Sequence, residues 1–262
     1  MLKSINLHCS DFCLVLDQAD QFSWIDIVEW LHIAASVKHV EVDTIQHDSS
    51  FGYCSAADHY QLSREELLTT FITHLSVFSF VWGALEAALN VFRIPQHPDR
   101  AKRGKISDAC RYLTSAFATY SVIAPYHEEV TAFREAVNSC SGYNSVESRF
   151  KAGNGIGAPG IGLYAVYKVR NLFAHGSIAF PQPDEEHRPI SAHADLITHA
   201  TRIVLLSLQM LFLAHYRNCQ ETVEYAWNRD FEYQKLPLPS LLRTFQFVRF
   251  DDDDQLELSI DC

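Results

Sequence analysis

Basic residues are in short supply: 21 Lys and Arg stand against 32 Asp and Glu, a formal net charge of −11 at pH 7 over 262 residues. A protein that coats nucleic acid by bulk electrostatics neutralises many phosphates with a basic face, so the charge argues against that class and leaves room only for local basic patches. Cysteine comes in an odd number, seven, with no C-x-x-C pair. The N-terminal stretch MLKSINLHCSDFCLVLDQ lacks the basic start and unbroken apolar run of a signal peptide. Both features point to a reduced, cytoplasmic protein. Long apolar runs are missing as well. The most apolar segment, RIVLLSLQMLFLAHYR, is interrupted by Ser207 and Gln209 and falls short of the roughly 20 residues of a membrane span, so it reads as a core helix. His8, Cys9 and Cys13, with Cys54 or His47 to complete a set, carry zinc-ligand chemistry; without recurring paired cysteines they read as buried structural residues, and no metal is expected.

What is present is an ordinary globular composition, 48% hydrophobic and 20% charged, with helical periodicity over most of its length. In the first sixty residues one helix is expected from Ser23, with Trp24, Ile27, Val28 and Leu31 on one stripe, and VKHVEVDTI alternates like a short strand. Ser63 followed by Glu66 has the form of a capping box, opening an apolar pattern that continues to about Phe92. Pro95 and Pro98 end it. Helices are then expected near Ile106 to Tyr120 and His127 to Cys140, separated by Pro125. SRFKAGNGIGAPGIGLY holds five of the ten glycines, Gly153, Gly155, Gly157, Gly160 and Gly162. It lacks the G-K-[ST] ending of a phosphate loop and reads as a mobile loop. A helix from about Gly162 to Gly176 follows, then PQPDEEHRP, a long helix from about Ser191 to Trp227, and a tail ending in the acids Asp251 to Asp254, which read as solvated. The fold class expected is all-α: an antiparallel helical bundle over residues 62–228, with a mixed, irregular section at 1–61 and a C-terminal extension at 229–262.

The stretch VYKVRNLFAHGSI sets Arg170, Asn171 and His175 in otherwise apolar company. At about 100° per residue, Asn171 and His175 fall one turn apart on the same helix face, with Arg170 the next position around. Spacing alone decides nothing. With 14 arginines and 13 histidines, an arginine followed by a histidine after four to six residues arises roughly twice by chance. A second copy at the same spacing of five does occur at Arg188 and His193, across Pro189. Arginine and histidine also suit helix C-termini on their own account, because they complement the dipole and bond the last carbonyls.

VRNLFAHG resembles the signature of the HEPN superfamily, helical bundles that share an arginine, a polar residue that is often asparagine, about three further residues and a histidine. Arg170, Asn171 and His175 fill those positions one for one. The order of helices over residues 62–228 is similar to the family's, and the LEAAL core of FSFVWGALEAALNVF places Glu86 where such helices carry an acid. The resemblance implies a bundle of HEPN type and a metal-independent endoribonuclease without a cofactor. Arg170, His175, Asn171 and Glu86 would be its catalytic residues, with Glu86 paired to Arg170 inside the bundle. The basic segment PDRAKRGKISDACR reads by itself as a solvated loop leading into a helix or as a local basic patch; as a patch it supplies Lys102, Arg103 and Lys105, which with Lys168 are the expected RNA contacts. The resemblance further implies a homodimer with a composite active site. It also implies a toxin or phage-defence role, restrained by an antitoxin or defence-system partner, without membrane attachment. A non-catalytic HEPN module that binds a nucleotide or a protein is the alternative, and a purely structural bundle is the third reading.

Overall fold

The computed structural model describes residues 1–20, 24–47, 51–118, 122–151, 153, 155–178, 180–184, 192–226 and 233–248. Its helices are α1 (Ile5–Asp20), α2 (Ile25–Ser36), α3 (Ser55–Val91), α4 (Lys105–Ala116), α5 (Tyr126–Ser139), α6 (Asn144–Glu147), α7 (Ala158–Ala174), α8 (Ala192–His215) and α9 (Leu238–Leu241). Two strands, β1 (Thr222–Ala226) and β2 (Tyr233–Pro237), pair antiparallel. The predominantly α-helical class expected from periodicity is observed.

α3 and α8 form the central pair. α2 packs on α3 and α1 on α2, while α5 covers α8 and α7 lies between α4 and α8. α3 turns Phe71, Phe78, Val81, Leu85 and Ala88 into the core, spaced by three, four or seven as one helical stripe requires. By length and composition α3 and α8 could each cross a membrane, which corrects the reading of the apolar run in α8 as too short for a span. The most apolar window of α8 is 89% buried among the other helices, which places its apolar character in the protein core.

Several local expectations are corrected. α3 begins at Ser55, eight residues before the Ser63 capping box, and Gly52 marks its start at φ +92° by donating its N–H to Asp58 at 2.9 Å. VKHVEVDTI forms no strand, yet its alternation has a physical origin. The N–H groups of Val40, Val42 and Thr44 donate to Thr73 Oγ1, Thr69 Oγ1 and Glu65 Oε2 at 3.0, 3.3 and 2.8 Å. Every second residue of an extended chain advances about as far as one helical turn, so the segment runs along α3 and is satisfied by its side chains. The helix predicted from Ser191 to Trp227 ends at His215, and its last predicted turns are the alternating strand β1. Arg188 and the acids Asp251 to Asp254 lie outside the described residues.

The described parts of the sections at 1–61 and 229–262 contribute to the bundle's core. Phe12 and Leu16 from α1 and Leu238, Leu241 and Phe245 near the C-terminus are all fully buried in one apolar cluster with α8. Beside them runs a buried polar network. Arg202 donates to His8 Nδ1 at 2.7 Å, and His8 Nε2 meets Gln209 Oε1 at 2.9 Å. Gln209 in turn donates to Leu242 O at 2.7 Å and Gln246 Oε1 at 2.8 Å. Since a guanidinium only donates, His8 is neutral with its proton on Nε2. Cys9 and Cys13 are buried in the core, Cys54 is exposed, and no cluster of three or more metal-ligating side chains occurs among the described residues.

Burial, and next the Arg202 guanidinium, hold the His8 pKa well below its ordinary value. Below about pH 6.5 an unfolded His8 binds a proton that the folded protein refuses, so stability falls with falling pH. Urea denaturation is expected to show a loss of up to about 1.4 kcal/mol per pH unit from this group between pH 6.5 and its folded pKa. His8→Gln should flatten that slope; an identical pH dependence in the variant would assign the acid sensitivity elsewhere.

Candidate active site

α7 starts close against its neighbours. A Cβ on Gly160 would lie 2.2 Å from the Cys110 carbonyl oxygen of α4, and one on Gly162 would lie 2.5 Å from Val130 Cγ2 and 2.9 Å from the Tyr126 hydroxyl of α5. Gly157 N–H donates to Thr114 Oγ1 at 3.0 Å. The expectation of a mobile loop through Gly162 is thereby corrected. Gly160 and Gly162 are helical; Gly160 lets the α7 backbone meet the α4 backbone, and Gly162 leaves room for the Val130 and Tyr126 side chains of α5. They fix the position of α7, and with it the position of the trio at its other end.

That end is closed by its own backbone. His175 N–H donates to Asn171 O at 3.1 Å, Gly176 N–H to Phe173 O at 3.0 Å and Ser177 N–H to Leu172 O at 2.8 Å, with Gly176 at φ +62°. This is a Schellman termination, in which the last carbonyls find backbone donors. The side chains of Arg170 and His175 are therefore not needed as caps. His175 is exposed, and Arg170 and Asn171 are half-buried. Among the described residues none of the three side chains makes a hydrogen bond or an ion pair. Around α7, Arg170, Tyr167, Asn171, His175 and Lys168 follow one another along a polar arc of about 160°.

Arg170 borders the core side of that arc, its guanidinium 6.0 Å from the centroid of Trp82 on α3. Trp82 in turn stacks on Tyr167, with centroids 6.1 Å apart and planes 9° from parallel. The aromatic pair gives the cation a flat support that leaves its forked donors open. Trp82 and Tyr167 were not singled out from the sequence. Their spacing was the available signal, since Trp82 precedes Glu86 by four and Tyr167 precedes Arg170 by three, the distances at which helical side chains meet.

Glu86 is not the partner of Arg170, which corrects the expected buried pair. Its carboxylate takes Lys105 Nζ at 2.7 Å and the Trp82 indole N–H at 3.2 Å. An acid on an apolar stripe requires a cation, and Lys105 supplies it from the start of α4. With side chains 38% and 36% exposed, this pair is of the surface kind, contributing about 0–1 kcal/mol. Glu86 stands beside the Arg170 platform, one tryptophan away from it.

The other expected RNA contacts are spread out. Arg103 donates to His97 O at 2.7 Å and Pro98 O at 3.3 Å. Lys102 is exposed, 3.9 Å from Asp99. Lys105 Nζ is engaged by Glu86 and by Asn90 Oδ1 at 2.7 Å. Lys168 is half-buried on the His175 side of α7.

Comparison of the chain with protein-family models, with characterised proteins and with solved structures finds no match.

Proposed function

We propose that the chain is a metal-independent endoribonuclease of HEPN type, with Arg170, Asn171 and His175 at its active site. The observation that carries this reading is the self-sufficient end of α7. The backbone satisfies the terminal carbonyls, so an arginine, an amide and an imidazole are presented on one polar arc with no structural duty to explain them.

The chemistry matches these groups. RNA carries its own nucleophile, the 2′-hydroxyl. An imidazole, whose unperturbed pKa is near 6.5, takes the 2′-hydroxyl proton at neutral pH. The 2′-oxygen attacks phosphorus, the bond to the 5′-oxygen breaks, and that oxygen leaves with a proton from a second acid. Arg170 binds the non-bridging oxygens as charge builds on them, and Asn171 orients the imidazole or donates to the phosphate. One chain brings one such imidazole, so the second acid is His175 of a second copy in a homodimer. Glu86 orients Trp82, through its indole N–H, beneath the arginine. A cytoplasmic toxin or phage-defence effector, held in check by a partner, is the role that fits this activity.

Incubation of the purified protein with total RNA in EDTA tests the reading. Cleavage by the wild type that His175→Ala loses supports it; RNA left intact under all conditions, with a nucleotide or a protein bound instead, would assign the chain to a non-catalytic module.

A further inference from the structure

The corner where α3 ends and α4 begins is basic within an acidic chain: residues 93 to 111 hold six Lys and Arg against two Asp. Both carboxylates there are already engaged. Asp108 accepts from Arg111, from His97 N–H at 3.0 Å and from Gly104 N–H at 3.2 Å. Burial alone would raise its pKa, but these hydrogen bonds outweigh burial and keep it ionised. Asp99 accepts from Ala101 N–H at 3.0 Å. Beside Asp108 the surface folds into a cleft of about 430 Å³, where Leu89 and Phe92 meet Arg93, Gln96, Arg103, Lys105 and the already engaged Asp108.

Two of the three cations of this cleft, Arg93 and Arg103, have no acid paired to them among the described residues, while Lys105 is paired with Glu86. Arg103 is fixed by the two neutral carbonyls of His97 and Pro98, and its remaining N–H donors have no partner among the described residues. Arg93 is exposed and makes no hydrogen bond or ion pair among the described residues. Lys105 forms a wall shared with the candidate active site, because Glu86 binds Lys105 on one side and the Trp82 indole on the other, and Trp82 lies under Arg170. Fixed donors above an apolar floor suit one phosphate with its attached sugar. The volume is in the range of small-ligand sites, roughly 300–1,000 Å³, and matches a single nucleotide unit whose sugar can reach the apolar floor.

We propose that this cleft is a subsite for single-stranded RNA, binding a backbone phosphate that flanks the linkage cleaved at Arg170 and His175. The assignment rests on the ribonuclease reading above and adds the form of substrate that the site takes, an unpaired strand led from Arg93 and Arg103 past Lys105 to Trp82.

The test is binding of a short fluorescein-labelled single-stranded RNA to full-length protein carrying His175→Ala, in EDTA, over a series of salt concentrations. Adding Arg93→Gln is expected to weaken binding about threefold to tenfold and to reduce the salt slope by about 0.7, the contribution of one single-strand phosphate. Arg93 has no described partner, so the melting temperature should not move. Unchanged affinity and slope would overturn the subsite. Adenosine monophosphate is expected to compete only at concentrations far above the RNA Kd; competition at matching concentrations would make the cleft a mononucleotide site and overturn its assignment to a strand. Cleavage by the wild-type protein is measured alongside. If RNA is cleaved while Arg93→Gln binds like its parent, the cleft assignment alone falls, whereas a wild type that neither binds nor cleaves RNA removes both.

Discussion

His175→Ala is expected to slow RNA cleavage by roughly 10²–10⁴-fold, the usual contribution of a positioned general acid or base, with no loss of stability beyond about 0.5 kcal/mol. The second half of this expectation comes from the end of α7. His175 is exposed, and its helix is closed by the N–H groups of His175, Gly176 and Ser177, so removing the imidazole takes away no cap and no packing. Arg170→Ala should lose cleavage to a similar degree. Arg170→Lys separates the possible roles of that residue, because it keeps the charge and loses the planar fork over Trp82 that is proposed to bind two phosphate oxygens. Partial activity is therefore expected from the lysine variant. The measurements are single-turnover cleavage of a labelled RNA and thermal denaturation. A folded His175→Ala protein that cleaves at the wild-type rate would take the histidine out of the mechanism.

Gly160→Ala is expected to be the most disruptive small substitution in the bundle. The added methyl would sit 2.2 Å from Cys110 O and 2.8 Å from Cys110 C, both backbone atoms of α4. A flexible side chain could rotate away, whereas a helix backbone has to shift bodily. Overpacking of a core typically costs about 1–3 kcal/mol, and contact with rigid backbone puts this site at the upper end or beyond. Gly153→Ala is the control, since nothing lies within 4 Å of a Cβ there, and its effect should stay within about 0.5 kcal/mol. Equal denaturation midpoints for the two variants would mean that α7 does not approach α4 as described, and the placement of Arg170 and His175 would lose its frame.

These two variants also mark how far the sequence could be followed. Long helices with a single apolar stripe were legible, and α3, α4, α5, α7 and α8 were all expected in about the right places, because a three-four spacing has few other physical meanings. α1 was missed although Cys9, Phe12, Cys13 and Leu16 follow the same spacing. Exposed Leu7 and Leu14 and buried His8 blurred the stripe, and the use of His8 depends on Arg202 and Gln209, about two hundred positions away. Glycines are ambiguous for a related reason. The residue that ends a helix at Gly176, where φ is positive, has the same letter as the one that lets α7 touch α4 at Gly160.

At the candidate site the division is similar. Arg170, Asn171 and His175 were visible as a motif because they are local, within two turns of one helix. That Glu86 needs a cation followed from its place on an apolar stripe, but the choice of Lys105 over Arg170 depends on how α4 meets α3. The aromatic support beneath Arg170 was legible only as spacing within each helix, since Trp82 and Tyr167 come together only when α3 and α7 pack. The basic segment was legible as charge, whereas its shape, a cleft with Arg93 and Gln96 added to Arg103 and Lys105, required the fold.

The chemistry at the centre of this account is tested most directly by the ends of the RNA fragments produced in EDTA. Attack by the 2′-hydroxyl leaves a 2′,3′-cyclic phosphate on one fragment and a 5′-hydroxyl on the other, and His175 and Arg170 need no divalent ion to bring it about. A metal-activated water typically leaves a 5′-phosphate and stops in chelator. Fragments with 5′-hydroxyl ends, formed in EDTA by the wild type and absent with His175→Ala, are the predicted result. Fragments with 5′-phosphates that appear only with magnesium would contradict it.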